Sequence, residues 1–169
     1  ILVALILMFF MGGTNAVFVA LAVPLSMFIA FMVLPSIGFT LNFIVLFAFL
    51  LGLGIVVDDA IVVVENTHRI YHEEADLGIV HAAKKAAGEV FLPVLSGTAT
   101  TLAPFFPLVF WGGIFGKFMH YLPVTIIITL TASLLVAYII NPVFAVWFMK
   151  KEGDESRQVD TKKARNRTY

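Results

Sequence analysis

Of the 169 residues, 60% are hydrophobic and 13% charged, against roughly 25% charged in ordinary globular domains. Apolar surface on this scale cannot be hidden inside one small domain, so lipid is the expected solvent. The formal net charge is zero and there is no cysteine, which excludes disulfides and thiolate metal sites. Basic residues do not interleave with aromatics as a nucleic-acid surface requires.

A hydrocarbon core of ~30 Å takes about 20 apolar residues in helical form, and helix is the form that leaves no backbone group unpaired in lipid. Taken in chain order, the runs predict an all-α polytopic membrane bundle of five spans, at residues 1–11, 16–34, 41–64, 90–115 and 121–149. The first run has no initiating Met, basic n-region or small-residue cleavage site. It reads as a truncated transmembrane helix rather than a signal peptide, so the chain is expected to be a fragment. The connections are "GGTN", "PSIGF", a charged stretch at 67–89 and "GKFMH". The stretch at 67–89 predicts a short amphipathic helix lying at the membrane surface. The fifth run is long enough for its last turns, after Asn141-Pro142, to bend or leave the membrane. The remainder, 150–169, is polar and aperiodic, and is expected to be a disordered tail or the start of a longer loop.

Charge placement orients these spans. If they alternate, Arg69, Lys84, Lys85 and the seven basic residues of the tail share one side, while Lys117 stands on the other. Such a bias makes the charged side cytoplasmic.

From Ile1 to Val57 there is no Asp, Glu, Lys or Arg; the next charges are Asp58 and Asp59, inside the third span. On an insertion scale each ionised Asp at mid-span costs about 2.5–3.5 kcal/mol, so the pair must face protein or a wet cavity. Adjacent helix positions differ by about 100°, so the carboxylates point to different partners. Mutual repulsion and desolvation tune their proton affinity, and a carboxyl that exchanges a proton near neutral pH suits a proton-driven machine. The plainer reading is that they only join helices through hydrogen bonds. No Lys or Arg lies within an apolar span, so a counter-charge must come from other chain. Gly52 and Gly54 lie within two turns before the pair and would let another helix approach. Thr100 and Thr101, with Ser96, Gly97 and Pro104, fall at helical spacing on the fourth span, and Thr125, Thr129 and Ser133 repeat it on the fifth. Such small residues are usually packing contacts.

Glu65, His68 and His72 share a helical face that a metal could use, yet the remaining cytoplasmic histidine is His81, and a solvated juxtamembrane face is the better reading. His120 falls beside Lys117 and reads as interfacial. No nucleophile–base pair stands out, and "LGLG" precedes no helix start that could hold a phosphate. No metal, cofactor or catalytic residue is expected.

The stretch "GIVVDDAIVVVEN", Gly54 to Asn66, closely resembles the fourth-helix motif of resistance–nodulation–division (RND) pumps of the acriflavine-resistance type. "AVPLSMFIAFMVLPSIGFTLNF" is similar to that family's third helix and outer turn, "FPLVFWGGIFGKF" to the end of its fifth and "ASLLVAYIINPVFAVWFMK" to its sixth. The resemblance implies a proton antiporter, not an enzyme, that exports hydrophobic or amphiphilic compounds from the bacterial inner membrane. Asp58 and Asp59 would be its proton relay, paired with a lysine in the second half of the molecule. This chain would supply the second through sixth helices and not the periplasmic substrate pockets. Subunits would form a homotrimer with a periplasmic adaptor and an outer-membrane channel. Metal-exporting relatives usually carry a single Asp here, so the doubled acid favours organic substrates over metal ions, lipids or proteins. "INP" at Ile140–Pro142 departs from the common Thr-Pro. From another class, an intramembrane aspartyl protease also uses two buried aspartates, but on two helices that face each other. A purely structural scaffold would not bear the cost of the pair.

Overall fold

A computed structural model describes residues 5–6, 8–9, 13–73 and 78–147. Of the span expected at 1–11, Leu5, Ile6, Met8 and Phe9 are described and helical; its other residues, and the tail at 150–169, lie outside the described residues. Among the described residues the chain is all helix, with no strand.

The first full helix, α1 (Gly13–Ser36), is apolar on all sides and carries Pro24 and Pro35 within it. Its end is a Schellman turn. Gly38, at φ 81°, supplies the left-handed residue that Cβ sterics deny most others. Phe39 N donates to Leu34 O (3.0 Å) and Gly38 N to Pro35 O (3.0 Å), while Phe39 packs on buried Leu34. The next helix opens at once, because the Asn42 side chain caps it by accepting from Val45 N at 2.9 Å.

That helix, α2 (Phe43–Glu73), is 31 residues long. At 1.5 Å per residue it spans about 46 Å, well beyond a ~30 Å hydrocarbon core. It therefore does not stop near Val64, and the 67–89 stretch is not a separate surface helix. Its first part completes α2. Its last part, after residues outside the description, opens α3 (Ile79–Leu102). The reason is packing: Ile70 of α2 is buried against Ala82 and Ala86 of α3, so the apolar face read as lipid-facing serves the α2–α3 junction.

The fourth span, expected unbroken to residue 115, also divides. Pro104 and Pro107 offer no N–H to the preceding turn, and the chain continues as α4 (Phe105–Val109), then α5 (Gly113–Met119) after Gly113 at φ 86°. Then α6 (Tyr121–Leu135) runs into a π turn (Val136–Ile140), with helix again to residue 147. Pro142 accounts for the wider turn. Its ring would crowd the carbonyl of Tyr138 in a regular α-helix, and an extra residue in the turn relieves that contact.

The central helix is α2, which packs against α1, α3 and α6. Its seams are built from small side chains. Ala16, Val19 and Ala22 of α1 meet Val57, Ala60 and Val64 of α2 and Val136 of the π turn; Ala48 and Val56 meet Ile126 and Leu130. In lipid, where apolar burial gains little, such close approach is what holds helices together. The outside stays apolar: Phe28, Leu50, Leu92 and Trp147 are each more than 60% exposed. Among the described residues, three helical rods, Val19–Ser36, Phe43–Glu73 and Gly113–Trp147, are long and apolar enough to cross a membrane.

Candidate functional site

The aspartates sit midway along α2 and part company there. Asp58 is exposed, on a stripe with Leu51, Gly54, Val62 and Glu65 that none of these helices covers. Asp59, one residue on, is buried at 8% exposure and turns toward α3 and α6. A 100° step along a helix is enough to send one carboxyl inward and leave the other outside.

One hydroxyl bonds the inner carboxyl and a second stands near it. Thr98 of α3, itself 5% exposed, donates to Asp59 Oδ1 at 3.1 Å, and its Oγ1 also lies 2.9 Å from the Val94 carbonyl one turn earlier. Ser133 of α6 donates to the Val56 carbonyl at 3.1 Å and stands within reach of the same carboxylate. The second oxygen, Asp59 Oδ2, is buried with no hydrogen-bond partner among the described residues. Of the described charged groups, the one acting on Asp59 is Asp58. On the π turn, the Tyr138 hydroxyl donates to Val90 O at 2.9 Å and its ring meets Phe91 edge-on. A carboxylate so placed is costly to keep ionised, and hydroxyls can donate to it or accept from it.

The neighbours expected from sequence fall differently. A Cβ on Gly52 would meet the Thr129 methyl at 3.5 Å, whereas one on Gly54 would meet nothing within 4 Å; Gly54 belongs to the uncovered stripe. The hydroxyls of Thr100 and Thr101 turn back on their own helix, to Ser96 O (2.8 Å) and Gly97 O (3.0 Å). Gly52 is thus the one of these four at a helix seam. Thr98 was missed because its neighbours at i±4, Val94 and Leu102, are apolar, so it falls in none of the i, i+4 pairs of small residues.

Below the aspartates, toward the charged end, Asn66 ties α2 to α3. Its Nδ2 donates to Ala86 O at 3.0 Å, and its Oδ1 accepts from Arg69 Nη2 at 2.8 Å. Arg69 also pairs with Glu89 of α3 at 3.3 Å and Glu73 at 3.4 Å. Asn141, directly after the π turn, is fully buried, and both its amide atoms lack a partner among the described residues. His68 and His72 approach to 3.1 Å on an exposed face, and Glu65 and His81 are exposed. Among the described residues no three potential ligands gather as a metal would need. His120 Nδ1 lies 3.2 Å from Val109 O, where the chain turns back into α6.

A membrane bundle whose long central helix carries "GIVVDDAIVVVEN" with one acid inward has relatives. The model of the AcrB/AcrD/AcrF family matches residues 1–168. The chain belongs to the AcrB/AcrD/AcrF family. A relative from Pseudomonas putida, named toluene efflux pump membrane transporter TtgE, is 35% identical over 151 residues, 89% of this chain. Proteins named multidrug resistance protein MdtC, from Escherichia coli and Shigella flexneri, are 35% identical over 150 residues, again 89% of the chain. In each case the chain spans 14% of the relative's length. The resemblance of the chain to RND pumps is thereby borne out, and TtgE is by name an efflux transporter.

Proposed function

We propose that this chain is the proton-relay part of an inner-membrane, proton-driven transporter that exports hydrophobic or amphiphilic compounds. The observation that supports it most is the division of labour within the acid pair. Asp59 is buried against Thr98 at 3.1 Å, while Asp58 looks outward from an uncovered stripe of α2. Neutralising a carboxyl removes both its pull on a cation and its demand for hydration, so helices can repack between two arrangements. The energy source is the proton gradient, with no cofactor. Asp58 on its open face is where a cationic side chain from the second half of the transporter would pair. In the cell the subunit would work as a homotrimer with a periplasmic adaptor and an outer-membrane channel, the substrate pockets lying in other parts of the protein.

An aspartyl protease would need a second acid opposite Asp59. Among the described residues hydroxyls of α3 and α6 stand there instead. Export of metal ions, lipids or proteins would use the same relay and differ in the pockets.

The test is neutralisation in the whole transporter. Asp58→Asn and Asp59→Asn keep shape but cannot cycle a proton, and each should abolish dye efflux from energised cells while expression and assembly stay near wild type. Full export by the double variant would make the acids structural.

A further inference from the structure

Thr98 is buried where α3 faces α2. Its Oγ1 stands between two acceptors on different helices, Asp59 Oδ1 of α2 at 3.1 Å and the Val94 carbonyl of its own helix at 2.9 Å. A hydroxyl has one proton to give and can also accept. Thr100 and Thr101, two and three residues on, bond only backward to their own helix. The site is built rather than incidental: Thr98 and Asp59 are both buried, and the contact joins residues 39 apart in sequence.

We propose that Thr98 is a positioning residue that holds Asp59 in both of its protonation states by redirecting its own hydroxyl proton. This rests on the proton-relay reading above. When Asp59 is ionised, Thr98 donates to Oδ1. When Asp59 carries a proton, its carboxyl O–H donates to Thr98 Oγ1, and the threonine proton swings to the Val94 carbonyl. Thr98 neither gains nor loses a proton; one proton enters and leaves the carboxyl, and the hydroxyl rotates about Cβ–Oγ1. No heavy atom has to move, so the α2–α3 seam keeps its register whichever state the acid is in. The movement that protonation drives is then left to the open Asp58 side. Among the described residues, the other titratable groups coupled to Asp59 are Asp58 on α2 and Tyr138 on the π turn. Glu89 of α3 is engaged by Arg69.

The experiment uses the whole transporter in proteoliposomes. It measures turnover under an imposed pH gradient, together with the infrared carboxyl band assigned to Asp59 by its loss in Asp59→Asn. Thr98→Val keeps the shape without the hydroxyl; it should lower turnover roughly tenfold, the scale of one hydrogen bond to a charged group, and move the band. Thr98→Ser should restore both. A Thr98→Val protein that loses turnover with an unmoved band overturns the inference, since Thr98 would then be packing alone. So does one indistinguishable from wild type while Asp59→Asn is inactive, and in that case the relay reading survives. Wild-type transport by Asp59→Asn removes the relay reading itself. Should Thr98→Val fail to assemble, Thr98→Ala, a stronger helix former, serves in both measurements with the same expected results.

Discussion

At Gly52, α2 leaves room against α6 for a methyl group and little more. The Cβ that Gly52 lacks would rest 3.5 Å from the Thr129 methyl, an ordinary contact, so Gly52→Ala should fit and gain about 0.5–1 kcal/mol of helix propensity. Gly52→Leu should force the helices apart and cost about 1–3 kcal/mol, seen as a lower melting temperature in detergent. Gly54 faces open space, so Gly54→Ala should leave the α2–α6 seam unchanged in the same assay. The pair of glycines was legible in the sequence, but not the difference between them. Two positions on one helix diverge by about 200°, and only the rotation of α2 within the bundle decides which one meets a neighbour.

At the level of elements, the end of α2 that meets α3 depends on a buried amide more than on the exposed ion pair beside it. Asn66 is 8% exposed and bridges Ala86 O and Arg69. Asn66→Leu leaves a carbonyl of α3 and the guanidinium short of a partner and should destabilise by about 1–3 kcal/mol. Glu73 and Arg69 form an i,i+4 pair with side chains 60% and 53% exposed. Glu73→Gln should therefore cost no more than about 0.5 kcal/mol. Thermal melts of both variants check the ordering; a larger loss for Glu73→Gln would contradict it. Hydropathy found the apolar runs and placed the fourth element too far along. An amphipathic face reads the same whether lipid or another helix covers it, and Ile79, Ala82 and Ala86 are covered by protein. The break at Ala103-Pro104 was visible as proline, but an apolar run does not show whether its helix continues past one.

Among the described residues, the charged groups other than Asp58, Asp59 and Lys117 fall between Glu65 and Glu89, at the adjoining ends of α2 and α3. The orientation read from Lys and Arg predicts that Ser36, at the exposed end of α1, lies outside and Lys84 of α3 in the cytoplasm. Ser36→Cys should react with an impermeant thiol reagent in intact cells, and Lys84→Cys only after permeabilisation. The reverse pattern would invert the topology. The exposed stripe of α2 through Leu51, Gly54, Asp58 and Val62 leaves one acid outside the helices it could pair with here. That fits an arrangement in which a further set of helices completes the site.

By itself the sequence determined that the chain is helical and lipid-embedded, that its acids stand mid-span, and which family motif surrounds them. Each of these follows from local composition or from spacing along one helix, so no contact need be known. Only the tertiary structure decided that Asp59 turns inward while Asp58 stays outside, and that Thr98 rather than Thr100 or Thr101 meets the acid. It also decided that the charged stretch at 67–89 extends α2 and α3 instead of forming a helix of its own. Those outcomes depend on the phase of one helix against another, set by how Ala60, Ala82, Val136 and their neighbours fit together across the seams, and a linear pattern does not carry that phase.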